Sequence, residues 1–386
     1  MPYYRRVGDV PTRRHSRVTG PDGALLCEEL VGTEGFSGES SLLYHRGSPS
    51  ALCGVRALDV DARVATADRP LTPRHLLTSK LAEGGDPVRG RHRLLANDDV
   101  AISWVAATED GPLVRNAVGD ELVYVQAGSA VLESPFGRLA VHGGCYVVVP
   151  RGVTTRWSVD GGPLHALVLE SSGSVGIPER YLTGRGQMVE GAPFCERDLI
   201  VPDGPLDLRH DEGPVEVLVR NRGGWSVLTH AHHPFDVVGW DGCVYPYAFD
   251  VADFAPIVGA VHQPPPVHQT FAGPGFVVCT FVPRPLDFGD GATKVPYHHS
   301  NVDSDEVLFY SSGDFTSRAG SGIGVGSISF HPAGFVHGPQ PGSVEAARDA
   351  TRTDEVAVMV DTFHPLGVTD VAREVADPEY PWTWAR

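Results

Sequence analysis

Short runs of β-branched and aromatic residues, each bounded by Gly, Pro or Asp, recur along the chain. The clearest runs are 121–125, 145–150, 164–170, 214–220, 276–282 and 356–360. Runs of about four to eight such residues are typical of strands. Helical patterns are limited to short pieces such as 73–80 and 344–350, which are too few to cover a parallel sheet. The pattern therefore predicts a mainly β protein with few short helices.

The strand pattern also contains an internal repeat. Each copy has an Asp-Glu pair, a strand, a Gly turn, a second strand and a Pro-x-Gly turn. The copies begin at Asp120-Glu121 and at Asp305-Glu306, and their last positions are Thr155 and His337. The repeat predicts two β-sandwich or barrel (jelly-roll) domains. We place an N-terminal extension and the first copy in residues 1–200, and the second copy in residues 201–386.

Composition excludes several classes of protein. The 45 Gly and 32 Pro predict many turns, and 31 Lys+Arg against 48 Asp+Glu give a net charge of −17. This charge argues against binding to nucleic acid or to anionic membranes, because a phosphate backbone needs a basic surface. No segment approaches the ~20 apolar residues of a membrane span, and no apolar stretch of a signal peptide follows the N-terminus. We therefore expect a cytoplasmic protein.

The cysteines give no sequence signal of a site. The six cysteines, at positions 27, 53, 145, 195, 243 and 279, show no Cys-x-x-Cys spacing. This pattern fits neither a disulfide framework nor a structural zinc site, and we expect small buried side chains.

The chemistry differs between the two copies of the repeat. The second copy contains His299 and His337, where the first has Val114 and Thr155. Two imidazoles and a carboxylate on adjacent strands can form the facial triad that holds non-haem Fe(II), although Zn, Mn or Ni could use the same donors.

The spacing of these residues resembles the metal motif of the cupin superfamily. His299-x-Asn301-x₄-Glu306 is followed about 30 residues later by Pro-x-Gly-x-x-His337, and Asn301 stands where many cupins have a second His. The resemblance implies a bicupin with one metal site.

Further motifs make the chain similar to the shorter bacterial members of the homogentisate 1,2-dioxygenase family. These motifs are Ser41-Leu-Leu-Tyr-His45-Arg46, Arg115-Asn116-Ala-Val-Gly-Asp120-Glu121, Pro234-Phe-Asp-Val-Val-Gly-Trp240-Asp-Gly242, Tyr297-His-His-Ser-Asn301 and Phe335-Val-His337-Gly338-Pro339. The resemblance extends over nearly the whole chain. It implies that the C-terminal domain alone binds Fe(II), through His299, Glu306 and His337. Better-known members have one residue fewer between His and Glu, which leaves Asp305 as an alternative, but the repeat favours Glu306.

The resemblance also implies catalytic and substrate-binding residues. The catalytic histidine upstream of the ligands falls on His262, with His268 as a competitor, and another catalytic histidine falls on His331. The family's substrate-binding Tyr falls on Phe315, and its nearby Lys falls on Arg318, whose guanidinium could pair with a substrate carboxylate. Asn301 and His268 complete the predicted substrate-binding residues.

These inferences give one expected function and several alternatives. The expected function is Fe(II)- and O₂-dependent cleavage of the aromatic ring of homogentisate to maleylacetoacetate, in tyrosine and phenylalanine catabolism. The family suggests a trimer-based homo-oligomer. The alternatives are a cupin dioxygenase acting on another hydroquinone, for example gentisate, a non-redox Zn or Mn cupin, and a non-enzymatic bicupin.

Overall fold

A computed structural model describes residues 2–20, 22–60, 64–208 and 213–385. In the first half of the chain the strands are β1 (Arg5–Gly8), β2 (Cys27–Gly32), β3 (Ser40–His45), β4 (Leu52–Leu58), β5 (Arg74–Leu77), β6 (His92–Ala96), β7 (Val100–Ala107), β8 (Val114–Asn116), β9 (Glu121–Ser134), β10 (Gly137–His142), β11 (Cys145–Val149), β12 (Thr154–Ser171) and β13 (Leu199–Ile200). In the second half they are β14 (Val215–Asn221), β15 (Gly224–His230), β16 (Val237–Gly242), β17 (Tyr247–Asp250), β18 (Gln269–Gly273), β19 (Phe276–Phe281), β20 (Arg284–Pro285), β21 (Asp305–Ser312), β22 (Ser327–His331), β23 (Arg352–Thr353), β24 (Val356–Thr362) and β25 (Gly367–Val368).

Helices are short, as the density of Gly and Pro predicts. The α-helices of the described residues are α1 (Ser343–Ala346) and α2 (Asp370–Glu374). The 3-10 helices are Glu34–Phe36, Thr78–Lys80, Glu179–Tyr181, Glu196–Asp198, Val251–Asp253, Pro265–His268, Thr316–Arg318 and Tyr380–Ala385. Within the described part of the chain, none of the helices has the length and apolar character that crossing a membrane requires.

The strands form two main sheets and two smaller ones. In the larger main sheet, the order β13-β17-β11-β9-β12-β8-β14-β15-β4 is extended by β10 on β9 and by β7, β6 and β25 on β12. The other main sheet has the order β18-β19-β24-β21-β22-β5. Strands β1, β16, β3 and β2 form a four-stranded sheet, and β20 pairs with β23. The fold is therefore mainly β, as the sequence predicts.

The two main sheets share one hydrophobic core. Tyr124 and Tyr146 of the larger sheet pack against each other, and each ring also meets a phenylalanine of the other main sheet, Phe309 or Phe271. All four side chains are almost completely buried. Burial of such aromatic side chains stabilises the contact between the halves and fixes the frame on which the polar site is built.

Each half also contributes a strand to the other half's sheet. Strand β5 comes from the N-terminal segment but pairs with β22 of the second sheet, with Leu77 opposite Ser327. Near the C-terminus, β25 pairs with β6 of the larger sheet. Strands β14 to β17 lie after residue 200, and their pairing joins them to strands that precede this residue.

The predicted strand runs are confirmed, and one predicted helix is wrong. Residues 73–80 form strand β5 and a single 3-10 turn, because the free edge of β22 offers this segment a ladder of hydrogen bonds. The predicted helix at 344–350 is shorter than expected and covers Ser343–Ala346.

Candidate metal centre

Three side chains from separate parts of the second sheet converge at one point. His299 and His337 lie in loops that pair through one antiparallel bridge, in which each backbone N–H donates to the other residue's carbonyl at 2.8 and 2.9 Å. Glu306 is the second residue of β21. One ligand atom from each of these residues lies within 4.8 Å of the other two. The arrangement unites the two predicted histidines with the predicted glutamate.

The carboxylate of Glu306 is buried and faces three imidazoles. Its oxygens lie 3.6 Å from His299 Nε2, 3.1 Å from His337 Nε2 and 2.9 Å from His331 Nδ1. Burial opposes ionisation, but these imidazoles together hold the pKa of Glu306 well below its ordinary value. Glu306 is therefore an anion at neutral pH.

The hydrogen bonds of the two outer histidines orient their ring nitrogens. Nδ1 of His299 donates to the carbonyl of Tyr297 at 3.2 Å, and Nδ1 of His337 donates to that of Phe335 at 3.1 Å. In a neutral ring this leaves Nε2 unprotonated, so both lone pairs point toward the carboxylate. Lone pairs and an anion repel each other unless a proton or a metal ion lies among them, and the hydrogen bond to Glu306 raises the pKa of His299 above its ordinary value. Backbone carbonyls fix metal-binding histidines in this way, so the donor set fits a divalent metal.

His331 contacts the same carboxylate oxygen as His337, and the two imidazole rings stack with their centroids 4.0 Å apart. Nδ1 of His331 donates to Glu306 Oε1, and its Nε2 accepts from the Tyr380 hydroxyl at 2.9 Å. Burial lowers the pKa of His331 to about 3, which outweighs the attraction of Glu306. The ring is therefore neutral and links Tyr380 to the carboxylate.

Asp305 is engaged elsewhere. One of its oxygens accepts from the backbone N–H of Ala333 and the other from that of Leu366, both at 2.7 Å. Adjacent residues of a strand point to opposite faces, so Asp305 and Glu306 cannot both face the imidazoles. This geometry favours Glu306 over Asp305 as the ligand.

A cavity of about 430 Å³ opens beside His299 and Glu306, which both line it. A volume of this size accommodates a small aromatic molecule. Alternate residues of β21 and β24 line one wall: Glu306, Leu308 and Tyr310 on the first strand, and Ala357, Met359 and Asp361 on the second. His262 and His268 also line the cavity.

Arg318 supplies positive charge within this cavity. The residue is buried, with Nε donating to the Tyr310 hydroxyl at 3.0 Å and Nη1 donating to the Gly338 carbonyl at 2.7 Å. Burial disfavours its charge, but the surrounding groups Tyr310, Tyr380 and Glu306 raise the pKa of Arg318 above its ordinary value. The guanidinium is therefore a fixed cation on the wall of the cavity.

Comparison with known proteins identifies the family. Residues 84–251 match the model of the homogentisate 1,2-dioxygenase N-terminal region. A protein of Saccharolobus solfataricus named "Putative dioxygenase" is 39% identical over 388 residues, which cover 100% of this chain and 99% of that protein. The chain belongs to the homogentisate 1,2-dioxygenase family. Homogentisate 1,2-dioxygenase of Bradyrhizobium diazoefficiens is 29% identical over 269 residues, which are 66% of this chain but 58% of that protein.

Other comparisons are more distant. Homogentisate 1,2-dioxygenase of Emericella nidulans is 28% identical over 291 residues, covering 70% of this chain and 63% of the relative. The chain thus matches about three fifths of the length of these named dioxygenases. Among solved structures, a cupin 2 conserved barrel domain protein of Leptotrichia buccalis has a TM-score of 0.35 and 9% identity, over 78% of this chain and 100% of that one. Protein Ylba of E. coli has a TM-score of 0.32 and 10% identity, over 77% and 93%.

His262 and His268, the two candidates for the catalytic base, both line the cavity. They differ in burial and in the charged groups near them. The side chain of His262 is partly exposed, and its Nδ1 lies 3.3 Å from Asp287 Oδ2. His268 is buried against Phe281, and its Nδ1 has no hydrogen-bond partner among the described residues. Burial, together with Arg284 and His262, lowers the pKa of His268 to about 3. His268 is therefore neutral, whereas His262 has a carboxylate beside it.

Not every predicted residue of the site lies on the cavity. Asn301 does, and its amide lies 3.4 Å from Asp361 Oδ1. Phe315 instead packs edge-on against Tyr310, with ring centroids 4.9 Å apart, and His331 donates a hydrogen bond to Glu306. Phe315, His331 and the proposed ligand His337 are not among the residues that line the cavity. Phe315 and His331 can act on a bound molecule through Tyr310 and Glu306, respectively.

Tyr310 and Asp361 are among the polar residues of the cavity that sequence reasoning missed. Tyr310 holds Arg318, and Asp361 lies directly across from Glu306 in the β21–β24 pair. Burial and the nearby Glu306 raise the pKa of Asp361 to about 7. Tyr310 could have been found from the sequence. It lies four residues after Glu306 on the same strand, and residues separated by an even number of positions share one face of a strand.

Proposed function

We propose that this chain is an Fe(II)- and O₂-dependent dioxygenase that opens the ring of homogentisate to maleylacetoacetate in tyrosine and phenylalanine catabolism. The carbon–carbon bond between the acetate-bearing ring carbon and its hydroxylated neighbour breaks. Both atoms of O₂ enter the product, so the substrate is oxidised and O₂ is reduced without another reductant. We also retain the predictions of a trimer-based homo-oligomer and a cytoplasmic location.

The convergence of His299, Glu306 and His337 beside a cavity with a buried guanidinium carries this proposal. The donor set of two neutral imidazoles and one carboxylate is typical of non-haem iron oxygenases and leaves coordination positions for other molecules. Fe(II) held there supplies the open positions and the electrons that activation of O₂ requires. The membership of the dioxygenase family supports the same choice of metal.

The protein's own groups bind and orient the substrate. Arg318 can donate charge-assisted hydrogen bonds to the acetate carboxylate, because the bonds that two of its nitrogens make to Tyr310 and Gly338 fix the guanidinium plane. The apolar side chains of Leu308 and Met359 lie on the same wall as Glu306 and can pack against the ring. These contacts hold the substrate at the wall where the three ligands converge.

His262 is the base in this proposal. An imidazole can take a phenolic proton on Nε2 while Nδ1 remains beside Asp287, whose carboxylate stabilises the resulting cation. His268 is too strongly desolvated to become charged and provides a neutral, polar wall. His262→Gln should therefore lower kcat by about 10²- to 10⁴-fold with iron retained. His268→Gln should have a smaller effect, and the reverse order would assign the base to His268.

Oxygen uptake tests the proposal directly. The chain is loaded anaerobically with Fe(II), desalted and mixed with homogentisate or gentisate in an oxygen electrode, with product identified by mass spectrometry. We expect uptake of one O₂ per homogentisate and a product heavier by two oxygen atoms. A matched Arg318→Met variant should lower kcat/KM for homogentisate by about 10- to 150-fold and leave a hydroquinone without a carboxylate almost unchanged.

Each remaining outcome favours an alternative. Uptake with gentisate and none with homogentisate would indicate a dioxygenase of another hydroquinone. Turnover that needs Zn or Mn and consumes no O₂ would indicate a non-redox cupin. Absence of metal binding and turnover would indicate a non-enzymatic bicupin.

A further inference from the structure

A second group of possible metal ligands lies in the larger sheet. His142, Cys145 and Asp250 each place one ligand atom within 4.8 Å of the other two. Within the described residues, this group and the one around Glu306 are those in which three His, Cys, Asp or Glu ligands come this close. The proposed dioxygenase reaction uses none of these three residues.

The local fold fixes the three residues at one corner of the sheet. His142 ends β10, two glycines form the turn, and Cys145 begins β11 directly opposite Asp250 of β17. Gly144 has φ +103°, a conformation that glycine adopts readily, and a Cβ at this position would lie 3.3 Å from Asp250 Oδ1. The turn thus brings the His and the Cys to the carboxylate without a bulky side chain between them.

The polar atoms are oriented as they are around Glu306. Nδ1 of His142 donates to the carbonyl of Gly143 at 3.0 Å, which leaves Nε2 unprotonated in the neutral ring. This nitrogen lies 3.6 Å from Asp250 Oδ2, while the other oxygen of Asp250 accepts from the N–H of Ala252 at 2.9 Å. A lone pair and a free carboxylate oxygen therefore face each other beside a fully buried sulfur.

We propose that His142, Cys145 and Asp250 bind a divalent ion of the zinc class, with solvent as the fourth ligand. Thiolate, imidazole and carboxylate are the donors that Zn²⁺ uses, and three protein ligands with solvent in the fourth position are one of its arrangements in proteins. The Cys145 S–H bond breaks as the S–Zn bond forms, and the proton leaves to solvent. The ion ties the hairpin of β10 and β11 to the end of β17.

Cobalt spectroscopy tests this site separately from the Glu306 site. Co²⁺ replaces Zn²⁺ in such sites, and a sulfur ligand gives a charge-transfer band in the near ultraviolet that a His₂–Glu site cannot give. We titrate the full chain anaerobically with Co²⁺ and count bound metal by elemental analysis. We expect two ions per chain and a band that disappears on addition of Zn²⁺.

Single-residue variants identify the cysteine that produces the charge-transfer band. Cys145→Ser should abolish the band and remove one ion per chain, and His142→Ala, at a largely exposed side chain, should weaken binding at this site by more than ~10-fold. Cys279→Ser, at a buried cysteine of the other main sheet, and Cys53→Ser, at an exposed one, should keep the band. Absence of the band in the wild-type chain would overturn the proposal. So would its persistence in Cys145→Ser, or its loss in Cys53→Ser.

Discussion

The two copies of the Asp-Glu motif place the same carboxylate in different surroundings. Glu121 of the first copy and Glu306 of the second each begin a strand region and each lie opposite a second carboxylate on the neighbouring strand, Glu170 or Asp361. Around Glu121 the balancing charge is a guanidinium. Arg91 Nη2 donates to Glu121 at 2.8 Å, and Arg91 Nη1 lies 3.5 Å from Glu170.

Around Glu306 the corresponding space is bounded by imidazoles instead. A guanidinium is a permanent cation that belongs to the chain, so the first carboxylate is satisfied when the protein folds. Neutral imidazoles offer lone pairs and require an added cation to balance the anion. The comparison teaches that the same β unit can hold a structural ion pair or, as we propose for Glu306, a metal ion, according to which partners surround one glutamate.

The aspartates of the two motifs, by contrast, perform the same task. Asp120 accepts from the backbone N–H of Arg151 and of Val175 at 2.8 and 2.9 Å. Asp305 accepts from Ala333 and Leu366, and Arg151 and Ala333 occupy the same place in the Pro-x-Gly turns. The Asp of each pair therefore braces the turn, and only the Glu differs in function.

The largest expected effect is a loss of bound iron and of O₂ uptake, and it should occur for substitution of Glu306 but not of Glu121. Glu306→Gln should remove bound iron and O₂ uptake, because the amide supplies no anionic ligand, whereas Glu121→Gln should keep both. Iron is measured by elemental analysis after anaerobic loading and desalting. Full iron occupancy in Glu306→Gln would contradict the assignment of the metal to this residue.

Breaking the ion pair of the first copy should affect stability and leave iron content unchanged. Arg91→Met leaves Glu121 with Asn116 alone and should lower the free energy of unfolding by about 3–5 kcal/mol, as loss of one partner of a buried pair does. Urea denaturation measures the change. The control Arg89→Met removes an exposed partner of Asp86 and should change stability by less than about 1 kcal/mol. Equal effects of the two variants would show that Arg91 is not needed to balance Glu121.

One imidazole of the first half, that of His45, provides a charged ring to compare with the neutral ring of His331. His45, in the first half, lies 2.6 Å from Asp236 and 2.9 Å from Glu29. Burial opposes its charge, but hydrogen bonds to these two carboxylates raise the pKa of His45 to about 9. The folded pKa exceeds the ordinary value of about 6.5, so this stabilisation is fully present below pH ~6.5 and disappears as the pH rises through about 9.

The expected size of this effect is at most about 3 kcal/mol. The unfolding free energies of the wild type and His45→Gln should therefore differ most at pH 6 and converge by pH 10. A difference that stays constant between these pH values would mean that His45 is neutral in the folded protein.

The smallest effect should be the same in both copies. Asp120→Asn and Asp305→Asn each replace one acceptor oxygen by a donor amide and should each cost about 1–3 kcal/mol of stability. Iron content should stay unchanged in Asp305→Asn. Loss of iron there, together with retention in Glu306→Gln, would move the ligand role to Asp305.

The sequence contained enough information for the strands and for the composition of the metal group. The apolar runs ended by Gly or Pro report local geometry, and the repeat aligned Glu306 with Glu121. The two histidines were visible because the first copy has Val114 and Thr155 at the equivalent positions. Such inferences succeed where a local period or an internal copy supplies the constraint.

Contacts between distant segments were not predictable in this way. Nothing near Arg91 indicates that its side chain reaches Glu121, and nothing in the C-terminal segment indicates that Tyr380 bonds His331. The segment 73–80 has a weak helical pattern, yet pairing with β22 makes it a strand. The cluster at Cys145 was invisible because two of its ligands are close in sequence and the third lies about 100 residues away.

The pairing of β5 with β22 also has a consequence for the order in which the protein can fold as it is made. Leu77 cannot pair with Ser327 until that residue, about 250 positions later in the chain, has been synthesised. At a synthesis rate of about 5–20 residues per second, this wait lasts roughly 10–50 s. During that time β5 has no native partner strand, and the six-stranded sheet beside the metal group cannot close. The site around Glu306 is therefore completed only after the segment from Ser327 to His337 has been synthesised.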